Sequence, residues 1–173
     1  VSKLIDLART ADRVVLAALK GIAIAAFAVL TLILSLNILN RFVPLMSFHW
    51  LDEIVELCFA ALVFYGAAAV WIGRGHFSAG DWISKRLPAG RARGAYRLFV
   101  ELAGLLFIAV FLRYSWQLTT RTGEATAVFQ IPKAVLYACM PVSGALMSVY
   151  SLIRAGAAVM DLAAGTKEAP PKE

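Results

Sequence analysis

The chain has 173 residues, of which 61% are apolar and 16% charged, with 17 Lys/Arg against 11 Asp/Glu for a net charge of +6. A soluble domain is about half apolar and about a quarter charged, and one of this length buries only about 70% of its unfolded surface, so too few polar residues remain here to cover the rest. Soluble, disordered, fibrous and disulfide-rich secreted classes are excluded, and an integral membrane protein remains.

The apolar residues fall in four long runs rather than alternating, which predicts an all-α membrane protein with four transmembrane helices. In chain order, Leu4, Leu7, Ala8 and Ala11 recur at helical spacing among Lys3, Arg9 and Arg13, predicting a short amphipathic helix on the membrane surface before the first span. The first span follows over 14–40, with Lys20 near its leading end. It is too long for a cleavable signal peptide and has no small-residue cleavage site, so it reads as a retained signal anchor. Because the chain begins at Val1, an initiator methionine or a short leader is expected to be missing from the numbering. The second span covers 52–73. A second amphipathic stretch follows, with Phe77, Trp82, Ile83 and Leu87 as its apolar members and Pro88 with Gly90 closing it. The third and fourth spans cover 97–120 and 133–156. Residues 1–160 thus read as one membrane domain, and 161–173, with Pro170 and Pro171, as a flexible cytoplasmic tail.

Orientation follows from the basic residues, which are enriched in cytoplasmic segments. Placing both termini inside leaves thirteen Lys/Arg in the cytoplasm and only four outside, namely Arg41, Arg113, Arg121 and Lys133. The positive charge is therefore an orientation signal and a contact with membrane lipids, and it gives no reason to invoke nucleic acid. Arg9, Arg13, Trp71, Trp82, Lys85, Arg86 and Trp116 are the candidate interfacial anchors, and Trp50 also lies at a span end.

Catalytic and cofactor chemistry is sparse. His49 and His76 fall on opposite sides of the membrane and cannot share a metal or a haem, so no cofactor is expected. Cys58 and Cys139 lie at similar depth, where apolar packing is the expected role and a disulfide the alternative. Polar residues gather where the first span ends and the second begins: Asn37, Asn40 and Arg41, then Asp52, Glu53 and Glu56. Acids suit a helix N-terminus, and a deeper Glu56 calls for a partner. The expectation is that Arg41 pairs with Glu53 or Glu56, or that the cluster meets a partner subunit; exposed helix ends are the plain alternative. Glu56 and Glu101 both lie near helix starts, and the membrane midplane is almost uncharged. For helix packing, Gly144 and Ser148 form a small-xxx-small pair, Gly66 to Ala69 form a smooth patch, and Pro141 should bend the fourth span.

In their order and spacing, several short motifs resemble one family. They are Asn37 with Asn40-Arg41-Phe42 closing the first span, Trp50-Leu51-Asp52-Glu53 opening the second, Gly75-His76 after it, and Ile131-Pro132 through Tyr137 to Pro141 and Gly144. The chain resembles the small membrane subunit (DctQ-like, Q subunit) of tripartite ATP-independent periplasmic (TRAP) transporters. It departs from the usual pattern at His49, at Phe77 to Asp81 and at the charged Lys133. The resemblance implies a non-catalytic scaffold in the bacterial inner membrane. Such a subunit packs on a large membrane subunit (M), which carries the sodium and substrate sites and moves as an elevator. It also helps dock a periplasmic substrate-binding protein (P) that delivers an organic acid such as a dicarboxylate, a keto acid or sialic acid. The same resemblance makes 42–51 and 122–132 the candidate docking segments, with Phe42, Pro44, His49, Trp50, Phe129 and Gln130 on them and Lys133 just after the second. The alternative is an autonomous carrier, a homodimer driven by protons through Glu56.

Overall fold

The computed structural model describes residues 2–42, 50–73 and 91–163, with side chains described over 10–42, 50–73, 94–96 and 98–160. Pro44, His49, Trp82, Lys85, Arg86 and the 164–173 tail lie outside the described residues, and the Arg9 side chain does too. The described chain is helical: α1 (Ser2–Phe42), α2 (Leu51–Ile72), α3 (Arg91–Arg121), a short α4 (Lys133–Tyr137) and α5 (Cys139–Ala163). Four segments are long and apolar enough to cross a membrane: Thr10–Phe42, Leu51–Ile72, Gly94–Arg121, and Lys133–Met160, the last running through α4 and α5. Large side chains such as Ile24 (69% exposed), Phe59 (59%) and Phe107 (69%) face outward, a surface that only lipid or a protein partner can cover.

The expected separate helix before the first span is not a separate element. Residues 2–20 contain neither Gly nor Pro, so the helical hydrogen bonding runs on without interruption from Ser2 into the span. At 41 residues, α1 is about 60 Å long, roughly twice the hydrocarbon thickness.

The helices pack in the order α1, α2, α5, α3. Helix α1 packs on α2, α2 on α5, and α5 on α3, which leaves α1 and α3 at the edges and places α2 and α5 between them. Of the most apolar stretch of the fourth span 39% is buried, against 17%, 17% and 6% for the first three. The core cluster is Leu19, Ala68, Ala69, Ile108 and Met147, with Tyr65, Trp71 and Leu146 packed around it. On α3 the residues Leu98, Glu101, Leu105, Ile108, Leu112, Ser115 and Thr119 alternate three and four apart, and all are buried or half-buried. Met140, Gly144, Met147, Ser151, Arg154 and Ala158 do the same on α5. Gly144 of the second row lies against Phe111 and Leu112 of α3, whereas Ser151 and Arg154 reach Trp71 and Ile72 of α2.

Small residues allow the close approach. A Cβ added at Gly144 would lie 3.2 Å from two ring atoms of Phe111 and 3.5 Å from Leu112. Ser143 and Ser151 are fully buried on the same helix, and the Ser148 hydroxyl donates back to the Gly144 carbonyl at 2.8 Å. Gly66 is a correction to the expected packing residues, because a Cβ there meets nothing within 4 Å. The smooth part of α2 is instead Ala68 and Ala69, two and three residues further on, which are buried in the core.

Pro141 breaks the fourth span one turn upstream, where Ala138 separates α4 from α5. Proline has no N–H to give the carbonyl four residues back, which is that of Tyr137. The Thr119 hydroxyl of α3 donates to that Tyr137 carbonyl at 3.3 Å, while also reaching the Ser115 carbonyl at 2.9 Å. Replacing Thr119 by Val keeps the volume and removes the donor. Unfolding in mixed micelles should show a loss of about 1 kcal/mol, and an unchanged midpoint would mean that the Tyr137 carbonyl does not depend on this hydroxyl.

Candidate functional site: a braced loop at one end of the bundle

The polar residues of the described chain concentrate at the end of the bundle where α1 stops, α2 starts and the 122–132 segment connects α3 to α4. Asp52 and Glu53 occupy the first turn of α2, where negative charge complements the helix dipole. No side chain caps that helix at Trp50, so the Glu53 carboxylate is available for another task. It reaches across to the connecting segment, where Oε1 accepts from the Val128 N–H and Oε2 from the Phe129 N–H, the latter at 3.2 Å. The two groups are 75 and 76 residues apart in sequence.

The segment also holds itself. Thr126 N–H donates to the Ile131 carbonyl at 2.9 Å, the Ile131 N–H donates to the Thr126 hydroxyl at 3.1 Å, and the Lys133 N–H donates to the Glu124 carbonyl at 2.9 Å. Ala125 and Pro132 form an isolated antiparallel bridge, so the segment is a small closed loop with Ala127, Val128 and Phe129 at its turn. Gln130 sits at φ +54°, a left-handed conformation that side chains other than Gly, Asn and Asp seldom adopt, and its amide donates to the Ala127 carbonyl at 3.1 Å. Lys133 Nζ meets Glu124 Oε2 at 2.7 Å, and Glu56 adds a longer-range attraction to the same ammonium. Lys133 is therefore the charge that ties the two ends of the loop. The Lys133 ammonium holds the Glu124 carboxyl below the usual carboxylate range. The pair is complete at neutral pH and is lost as pH falls through that lowered value.

This braced loop displays apolar side chains. Val128, Phe129 and Ile131 are 47%, 48% and 45% exposed, whereas Thr126 is buried beneath them. A loop whose turn is held by several backbone hydrogen bonds and whose apolar side chains are exposed suits recognition of another protein, because little ordering remains to be done on contact.

The expected pairing of Arg41 with Glu53 or Glu56 does not form in this structure. The described residues contain one ion pair, Glu124 with Lys133, and Arg41 is exposed at the end of α1. The Glu53 oxygens are taken instead by the loop amides of Val128 and Phe129. Asp52 and Glu56 are exposed, as are Asn37 and Phe42, while Asn40 is half-buried. Trp116 is 63% exposed, in keeping with an interfacial ring, but Trp71 turns inward, its indole Nε1 donating to the Ser151 hydroxyl at 2.9 Å. Cys58 and Cys139 are free thiols, Cys139 being buried and donating to the Leu136 carbonyl at 3.2 Å.

Sequence reading missed a second polar centre at the opposite end of the bundle. Arg154 Nη2 of α5 donates to the Trp71 and Ile72 carbonyls at 3.0 and 2.7 Å, capping the C-terminus of α2, whose last carbonyls have no helical donors. At the same end the Tyr150 hydroxyl donates to Asp12 Oδ1 at 2.7 Å and ties α5 to α1. The available signal was a lone arginine ending an apolar run level with another helix end. On α3, one Glu101 oxygen is buried without a hydrogen bond.

No curated protein matches the chain, but a family model does, and it covers residues 30–159. That model describes the DctQ component of tripartite ATP-independent periplasmic transporters, and the match takes in the end of α1, all of α2 and α3, the braced loop and nearly all of α5. The chain belongs to the DctQ family, a membrane component of TRAP transporters.

Proposed function

We propose that this chain is the stationary small subunit of its transporter. In this reading both termini are cytoplasmic, the chain lies in a bacterial inner membrane, and the braced loop faces the periplasm. Part of the lipid-like surface of the helices packs on a large sodium-coupled membrane subunit (M), and the loop end helps dock a substrate-binding protein (P) during organic-acid uptake. The observation that carries the reading is the Glu53 brace. It holds an exposed apolar turn in one conformation, which serves docking and has no evident use in a lipid-covered helix bundle. The basic-residue asymmetry supports the orientation. Glu56, on which an autonomous proton-coupled carrier would depend, is exposed within the first two turns of α2 beside Lys133. A coupling carboxylate belongs where access can alternate, near the middle of a span.

A tagged chain purified gently from its own membrane should carry a larger membrane protein in fixed ratio and bind a soluble periplasmic protein. Glu53→Ala should speed amide exchange at Val128 and Phe129 while leaving the helices protected, and it should weaken capture of the soluble protein without releasing the membrane partner. A homodimer that transports alone in liposomes, or a Glu53→Ala chain that captures the soluble protein as the parent does, would overturn the proposal.

A further inference from the structure

A notch of about 560 Å³ opens beside the braced loop, between the last turns of α3 and Tyr137 at the end of α4. Its lining includes Tyr114, Gln117, Leu118, Arg121, Glu124 and Tyr137. Its electrostatics follow from which of these groups are already engaged. The Glu124 carboxylate is bound by Lys133 at 2.7 Å, which neutralises the one acid. With its amide oriented by hydrogen bonding, the Gln117 side-chain oxygen accepts from Arg121 Nη1 and Nη2 at 3.0 and 3.1 Å. That leaves three guanidinium N–H groups and the Gln117 NH2 at one uncompensated positive charge, in a notch that Tyr114 and Tyr137 also line. Such a set matches the oxygens of a phosphate, for which a planar guanidinium fork is well suited.

The notch does not end at the helix terminus. Below Arg121, the residues Leu118, Tyr114, Val110 and Phe107 follow at spacings of three or four on one face of α3, and they are 46%, 65%, 47% and 69% exposed. From Leu118 to Phe107 this face spans about 17 Å, close to half of the ~30 Å hydrocarbon layer and hence to the reach of one acyl chain. A soluble protein could offer a carboxylate to Arg121 but could not follow an apolar face down into the membrane. We propose that this notch is a phospholipid site: Arg121 and Gln117 hold the headgroup phosphate, and one acyl chain lies along the Phe107 to Leu118 face. The lipid belongs to whichever leaflet the braced loop faces, so the site is independent of the docking reading above.

The test is native mass spectrometry of the full chain in mild detergent, titrated with phosphatidylglycerol. Arg121→Gln should lower retained phosphatidylglycerol about tenfold, the loss expected for one charge-assisted contact. Arg41→Gln, which removes an equal charge on the far edge helix, should leave retention unchanged. Gln117→Glu should also lower retention by placing like charge against the phosphate, and it carries the same test if the Arg121 variant fails to fold. Millimolar inorganic phosphate should not displace the lipid. Undiminished retention in Arg121→Gln would overturn the proposal, as would an equal loss in Arg41→Gln or displacement by inorganic phosphate. Undiminished lipid combined with lost capture of an acidic soluble protein would make the notch a protein contact and would overturn it too.

Discussion

Gly144→Leu is expected to destabilise the bundle by about 1–3 kcal/mol, the usual cost of inserting methylenes where no space exists. The first added carbon already meets Phe111 at 3.2 Å, and the rest of a leucine would be driven into the same ring. Phe111 has little room to retreat. Its ring stacks on Phe64 of α2, with centroids 5.9 Å apart and planes 22° from parallel, so a shift would disturb the α2 contact as well. Because α5 lies between α2 and α3, displacement at this one position loosens two interfaces. Gly144→Ala tests the argument from the other side. Its neighbours need give only a few tenths of an ångström, and the roughly 1 kcal/mol of helix propensity gained offsets that cost, so it should be near neutral. Unfolding midpoints in mixed micelles, followed by circular dichroism, separate the two variants. A leucine variant as stable as the alanine variant would show that the seam is not closed at this level.

Arg154→Leu is expected to cost about 3 kcal/mol, judged from about 1.5–3 kcal/mol for a hydrogen bond to a charged group and from the two carbonyls left behind. Those carbonyls, at Trp71 and Ile72, end α2 at the edge of the apolar layer, where few waters are at hand to replace the guanidinium. The neighbouring Trp71 indole is held by Ser151 on the same helix as Arg154, so the capped end is the point at which α2 is fastened to α5. Arg154→Lys keeps a charge but offers one compact ammonium in place of a rigid fork, and it should recover only part of the loss. The same unfolding assay reads both. If Arg154→Leu unfolds with the parent, the cap contributes nothing to fastening α2 on α5.

Much of the fold was legible in the sequence because it follows from local quantities. A run of about twenty apolar residues spans a bilayer whatever surrounds it, since hydrocarbon leaves the backbone no alternative to its own helical hydrogen bonds. Pro141 announced a bend for an equally local reason, a missing N–H, and the structure turns it into a break at Ala138. Its companion Thr119 did not show itself, because a threonine in a helix ordinarily bonds its own turn and only the neighbouring helix reveals the orphaned carbonyl. The candidate site was half legible. Glu53 stood out as an acid at a helix start and 122–132 as an outer segment, but Arg41 looked the natural partner because opposite charges are visible in a sequence and backbone amides are not. Gly66 misled in a similar way: a glycine suggests close packing wherever it occurs, and whether a second helix comes near depends on which face it lies on.

By itself, then, the sequence determined the membrane class, the four spanning helices and the family, all of which depend on the length, polarity and order of segments along the chain. The tertiary structure alone decided that α2 and α5 lie between α1 and α3, that Glu53 braces the loop through Val128 and Phe129, and that Arg154 fastens α2. The physical reason is that apolar faces in a membrane are nearly interchangeable, so helix order is settled by a few close approaches such as Gly144 on Phe111. Polar groups then take whichever unsatisfied partner that order brings within 3 Å or so, and such partners can stand 75 or more residues away in the chain.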